Sequence, residues 1–195
     1  MKKLITLGML LVMSVLGLVF GYENLKVDEL LENNNIKVPF LNDEKPVTST
    51  VMTISKPFND TNVKTSVEFY DSTKENQEKS IIVIDKTYIP NKGILYKNDQ
   101  KFDVLSIYDG IVTEIGKDDL IGNFVKIKHD NNLVSIYKIL DNISVNKGDH
   151  VKKGDKLGDS GTSPIEKGNL LLFEIKIDNI NVNPEDYYNK TIKEI

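Results

Sequence analysis

An all-β domain is the fold class this sequence predicts, and three observations carry that reading. Residues 141–177 hold two Lys-Gly-Asp triplets, Lys147-Gly148-Asp149 and Lys153-Gly154-Asp155, six residues apart. Residues 170–177 alternate at period 2, with Leu171, Phe173, Ile175 and Ile177 on one face of a strand. No long helical pattern is evident beyond the first twenty residues. Glycine accepts positive φ without a Cβ clash and aspartate caps tight turns, so each triplet reverses the chain. Turns this close leave room only for short strands, which pack as a compact barrel or sandwich. Leu170, Leu172, Glu174 and Lys176 share the other face of the last strand. A strand facing a water-filled groove would be polar at Leu170 and Leu172, so this apolar pair demands a reason.

Composition narrows the function classes. The 195 residues carry a net charge of −4 and no arginine. An acidic chain without the guanidinium fork is a poor nucleic-acid binder. With no cysteine, disulfides, thiolate catalysis and cysteine-zinc sites are excluded. Imidazole chemistry rests on His129 and His150 alone. Both read as structural or solvent-facing residues. Ser160 and Ser163 lie in a Gly/Ser-rich stretch without a Gly-x-Ser-x-Gly elbow, and the acidic residues are spread over turns.

Taken in order, the chain opens with Lys2 and Lys3 ahead of uncharged residues 4–20, and Glu23 follows. That charge order predicts an N-in, C-out orientation and export. As a helix the run spans about 25 Å at ~1.5 Å per residue, slightly short of a ~30 Å hydrocarbon core. Residues 1–21 are therefore a membrane anchor or, with Val19-Phe20-Gly21 as a cleavage site, a signal segment. Residues 22–50 form a polar spacer, and residues 51–87 an extended lead-in packing on the core. Within the lead-in, residues 63–69 are extended, 71–79 are a charged loop and 81–84 a short buried strand. Turn signals then recur at Pro90-Asn91-Lys92-Gly93, Asn98-Asp99, Asp109-Gly110, Lys117-Asp118-Asp119 and Asp130-Asn131-Asn132. Strands are expected at 104–108, 111–115, 124–129 and 134–137, with Val125, Ile127 and His129 on one face. Leu120-Ile121-Gly122-Asn123 supplies a bulge or bend, residues 161–168 a looser loop, and Asn183-Pro184 a short end.

These residues resemble a family. Asp109-Gly110 with Val112, the run Gly122-x-x-Val125-x-Ile127-x-His129, Tyr137, Val145-x-x-Gly148-Asp149-x-Val151-x-x-Gly154, Gly158, Gly161, Phe173-Glu174 and Asn183-Pro184 are similar to the LytM domain. That is the lysostaphin-like zinc endopeptidase fold, which cuts peptidoglycan cross-bridges. The resemblance covers roughly residues 88–188, sets a degenerate LytM domain at 88–190 and implies a duplicated, barrel-sandwich-like β-sheet core. Biotinyl and lipoyl carriers share part of the turn pattern, but no Met-Lys-Met hairpin is present. The lead-in elements Ile54-Ser55-Lys56-Pro57-Phe58, Phe69-Tyr70-Asp71 and Thr87-Tyr88-Ile89-Pro90-Asn91-Lys92-Gly93 further resemble the branch named for stage II sporulation protein Q.

The family pattern implies a His-x-x-x-Asp pair, a later His-x-His and often a histidine two residues after the tyrosine matching Tyr137. In this sequence those positions hold Asn91, Leu95, Leu170, Leu172 and Ile139. Zinc needs imidazole or carboxylate donors and an open coordination position for water. Leucine and isoleucine offer no lone pair, so no catalytic residue, metal or other cofactor is expected. Leu95, Ile139, Leu170 and Leu172 would converge where the ion would sit, either as added core or as an apolar groove for a partner. The resemblance thus implies a non-catalytic interaction protein, membrane-anchored and facing the forespore intermembrane space. Its implied partner is a stage III sporulation protein AH-like membrane protein. The alternatives are an amidase activator or peptidoglycan-binding LytM protein and, disfavoured by its donors, an active zinc metalloendopeptidase.

Overall fold

The computed structural model describes residues 52–75 and 77–195, so the expectations for the N-terminal segment and the spacer lie outside the described residues. Twelve strands follow in chain order: β1 (Lys64–Val67), β2 (Ile81–Ile84), β3 (Thr87–Pro90), β4 (Ile94–Asn98), β5 (Asp103–Leu105), β6 (Gly110–Asp118), β7 (Gly122–Lys128), β8 (Leu133–Asp141), β9 (His150–Val151), β10 (Lys156–Ser163), β11 (Glu166–Ile177) and β12 (Ile180–Val182). The only helical turns among the described residues are 3₁₀ pieces at Gln77–Ser80, Pro184–Asp186 and Ile192–Glu194. The domain is all-β.

Ten strands form one sheet in the order β1-β4-β11-β10-β8-β7-β6-β9, with β12 added to β11 and β5 to β10. The 12-residue β11 is its hub. Its first half pairs with β4 and β10, and its second half with β8 and β12. Alternation along β11 then divides the molecule. Leu171, Phe173 and Ile175 join the main core with Tyr96, Val125, Ile127, Tyr137 and Leu157. Leu170 and Leu172 point to the opposite face and enter a second apolar cluster. From the lead-in, Ile54 and Phe58 bury in the main core, and Phe58 meets Tyr96 edge-on at 4.8 Å.

The two Lys-Gly-Asp turns dock by one scheme used twice. At the first, Val112 N–H donates to Asp149 O and Gly148 N–H donates to Val112 O. At the second, Ser106 and the pair Gly154 and Asp155 repeat this exchange. Each turn is closed by its aspartate, which accepts from Asn146 N–H and Lys152 N–H respectively, both at 2.8 Å. Gly148 and Gly154 have φ of +95° and +89°, which a side chain would strain. The six-residue spacing of the turns therefore matches the six-residue spacing of Ser106 and Val112 along the receiving chain.

Two local expectations change. Residues 81–84 do not form a strand buried on both faces: β2 pairs only with β3, in a separate two-stranded sheet, and Val83 is exposed on its outer side. The Pro90-Asn91-Lys92-Gly93 signal marks the break between β3 and β4, with Pro90 itself closing β3, because a proline is compatible with a strand end that owes no N–H. Residues 161–168 are largely strand as well, since Ser163 pairs with Glu166 across a tight hairpin.

Candidate functional site

Four of the singled-out residues come together. Leu95, Ile139, Leu170 and Leu172, with Ile82, make the second apolar cluster. Strand pairing places them: Leu172 lies opposite Leu95, and Leu170 opposite Lys97. Ile139 arrives by a different route. The β7–β8 register passes from Asn123 opposite Leu140 to Phe124 opposite Lys138, leaving Ile139 as a bulge residue. Its φ is +65°, the left-handed region that β-branched residues avoid. Bulges re-aim side chains, and this one contributes Ile139 to the cluster on the face opposite the main core.

The cluster is covered. The β2–β3 hairpin supplies Ile82 as a buried member and brings Ile84 and Ile89 alongside, while Val67, Ile121 and Ile165 pack at the margin. Leu95 and Leu170 are 0% exposed and Ile139 and Leu172 2%. In this domain by itself the four residues are therefore core rather than the floor of an open groove. Sequence reasoning missed Ile82 and the cover, although the uninterrupted Ile81-Ile82-Val83-Ile84 run was the available signal.

Asn91, the polar residue of the five, is a buried latch at the hairpin base, bonded to Val67 at the cluster margin. Its Nδ2 donates to Val67 O and Glu68 O at 3.2 and 3.0 Å, and its Oδ1 accepts from Gly93 N–H. Its backbone N–H donates to Ser80 O, and its carbonyl accepts from Tyr70 N–H. Beside the cluster, buried Glu174 is paired with Lys138 and accepts from Asn181 Nδ2.

These residues do not fit the zinc that the resemblance implies. Four of the five positions carry hydrocarbon, and the amide of Asn91 is already committed to backbone groups. Among the described residues, no three His, Cys, Asp or Glu side chains gather in a metal-binding arrangement. His129 is buried in its own hydrogen-bonded setting, and His150 is exposed on β9.

Comparison with known proteins adds to this geometry. The model of Peptidase family M23 matches residues 89–184. Stage II sporulation protein Q of Bacillus subtilis (strain 168) is 30% identical over 193 residues, covering 93% of this chain and 68% of that protein. One chain in the structure of the SpoIIQ-SpoIIIAH pore forming complex superposes with a TM-score of 0.69 at 28% identity, over 74% of this chain and 96% of that one. A zinc containing peptidase from Vibrio cholerae matches with a TM-score of 0.55 at 25% identity, over 67% of this chain but only 38% of that one.

Proposed function

The chain belongs to peptidase family M23, and we propose that within it this protein is a non-catalytic interaction module of sporulation, anchored in the membrane by residues 1–21. In this reading residues 22–50 are a spacer, 51–87 a lead-in and 88–190 a degenerate LytM domain. Asn91, Leu95, Ile139, Leu170 and Leu172 stand at the family's zinc-site positions. One observation carries the proposal: four of those positions, Leu95, Ile139, Leu170 and Leu172, hold a packed apolar cluster that has nothing to offer a cation, and the amide of Asn91 is committed to backbone groups. The domain faces the forespore intermembrane space and binds a stage III sporulation protein AH-like membrane protein, by analogy with the solved SpoIIQ-SpoIIIAH complex.

The β2–β3 hairpin is the contact this reading favours. Val83 and Tyr88 pair across its outer face and are exposed, at 42% and 74%. An apolar pair on a two-stranded sheet suits strand addition or capping by a partner. The test is capture of the AH-type protein from the same genome by tagged residues 51–195, with washed peptidoglycan as a parallel bait. Wild type should retain the AH-type protein, and Val83→Ser/Tyr88→Ser should lose most of it while melting normally. Retention on peptidoglycan alone would move the assignment to a wall-binding LytM protein. One zinc per purified chain together with cross-bridge hydrolysis would restore the peptidase reading.

A further inference from the structure

His129 is buried, yet the interaction role makes no use of it. Its ring stands edge-on to Tyr108 and lies against Gly110, where an added Cβ would be 2.7 Å from Nδ1. Nδ1 is 2.8 Å from Asp109 O, and Nε2 is 2.7 Å from Ser135 Oγ. A carbonyl can only accept, so Nδ1 carries the hydrogen and the neutral ring accepts at Nε2 from Ser135. That uses the only hydrogen of Ser135, so its 3.1 Å contact with Tyr137 Oη is a donation from the tyrosine. Tyr137 Oη in turn accepts from Ile107 N–H at 3.0 Å. Burial pushes the Tyr137 hydroxyl up to about 12, which keeps it protonated near neutrality. Four hydrogen bonds thus run in one direction, from Ile107 through Tyr137, Ser135 and His129 to Asp109, and they admit a single tautomer.

The segment held by this relay is where other parts of the domain attach. Ser106 and Val112 receive the two Lys-Gly-Asp turns. Ile107 O accepts from both Ser55 N–H and Ser55 Oγ of the lead-in, and Asp109 Oδ1 accepts from Lys153 N–H. We propose that the His129 relay is an acid-responsive clamp on residues 106–112, closed while the imidazole is neutral and broken when it takes up a proton. A protonated ring carries hydrogen on both nitrogens, so Nε2 can no longer accept from Ser135. The Ser135 hydroxyl must turn towards Tyr137, whose own hydrogen then loses its acceptor on Ser135. A cation is buried in the same event.

The surrounding charges oppose one another. Burial holds the imidazole pKa below its ordinary value, while the backbone bond to Asp109 and the Asp130 and Asp109 carboxylates act to raise it. Lys128, Lys152 and His150 line the adjoining surface. With the folded pKa depressed, the unfolded chain binds the proton first as pH falls. Stability is therefore full above about pH 6.5 and is lost as pH falls from there towards the folded pKa.

Histidine ¹⁵N spectra and thermal melts from pH 8 to 5 test the clamp, because the chain has only two histidines to assign. The expected spectrum shows the buried ring still neutral and protonated at Nδ1 at pH 6. The expected Tm falls by several degrees between pH 6.5 and 5 in wild type and in His150→Gln, and the fall is flattened in His129→Gln. A His129 signal that titrates at about 6.5 with the domain still folded overturns the proposal, as does an unchanged Tm slope in His129→Gln. Should His129→Gln not fold, the wild-type spectrum alone decides.

Discussion

Ile139 combines a β-branched side chain with a left-handed backbone, a pairing that ordinarily costs about 1–2 kcal/mol per residue. It persists because the bulge is fixed by strands on both sides and the side chain is buried. The site predicts an inverted order of variants. In ordinary strand or helix interiors glycine is less stable than alanine by roughly 0.5–1 kcal/mol. At φ +65° the alanine Cβ keeps the strain, while glycine removes it. Both truncations lose the packing of the isoleucine, about 2–5 kcal/mol. Ile139→Gly should therefore unfold at a higher urea concentration than Ile139→Ala, and the usual order would mean that the backbone is relaxed. The sequence showed that position 139 was apolar and that a bend preceded β7 near Gly122. It could not show the left-handed backbone at Ile139, because nothing in the chemistry of isoleucine favours that conformation.

Within the elements, the Lys-Gly-Asp turns were legible because glycine and aspartate have few other reasons to recur at fixed spacing. Nothing lies within 4 Å of an ideal Cβ at Gly148 or Gly154, so alanine there meets only backbone strain. Gly148→Ala and Gly154→Ala should each lower stability by about 1–2 kcal/mol without disturbing the core, as read by denaturation and by unchanged core amide shifts. The β2–β3 hairpin was harder to see. Ile81-Ile82-Val83-Ile84 reads as a run buried on both faces, and Pro90 reads as a turn. What the pattern lacked was a partner assignment: β2 pairs with the following strand instead of entering the sheet. The two faces of the hairpin then separate by consequence. Ile82→Ala should cost ~2–5 kcal/mol because it opens the covered cluster, whereas Tyr88→Ser should change the melting temperature little.

At the scale of the whole molecule, the sheet has apolar matter on both faces, and the second cluster makes Leu95, Ile139, Leu170 and Leu172 part of what holds the domain together. The motif order made the family recognisable and singled out these four residues, but whether they floor a groove depended on the β2–β3 hairpin, which pairs outside the main sheet. This has a consequence for restoring donors. Leu95→Asp with Leu170→His and Leu172→His would place a carboxyl and two imidazoles beneath Ile82, without solvent access. Each buried polar group without a partner costs roughly 1–3 kcal/mol by mutational measures, and three lost leucine packings add about 2–5 kcal/mol apiece. The combined loss rivals the ~5–15 kcal/mol that a domain has available. Even with zinc bound, a catalytic site needs an open position for water, and here the hairpin lies over it. The triple variant should therefore be unfolded without zinc and release no fragment from peptidoglycan cross-bridges with it. Circular dichroism and a hydrolysis assay at matched zinc concentrations check both halves. A folded variant with measurable hydrolysis would show that the hairpin opens and that the second cluster is dispensable to the fold.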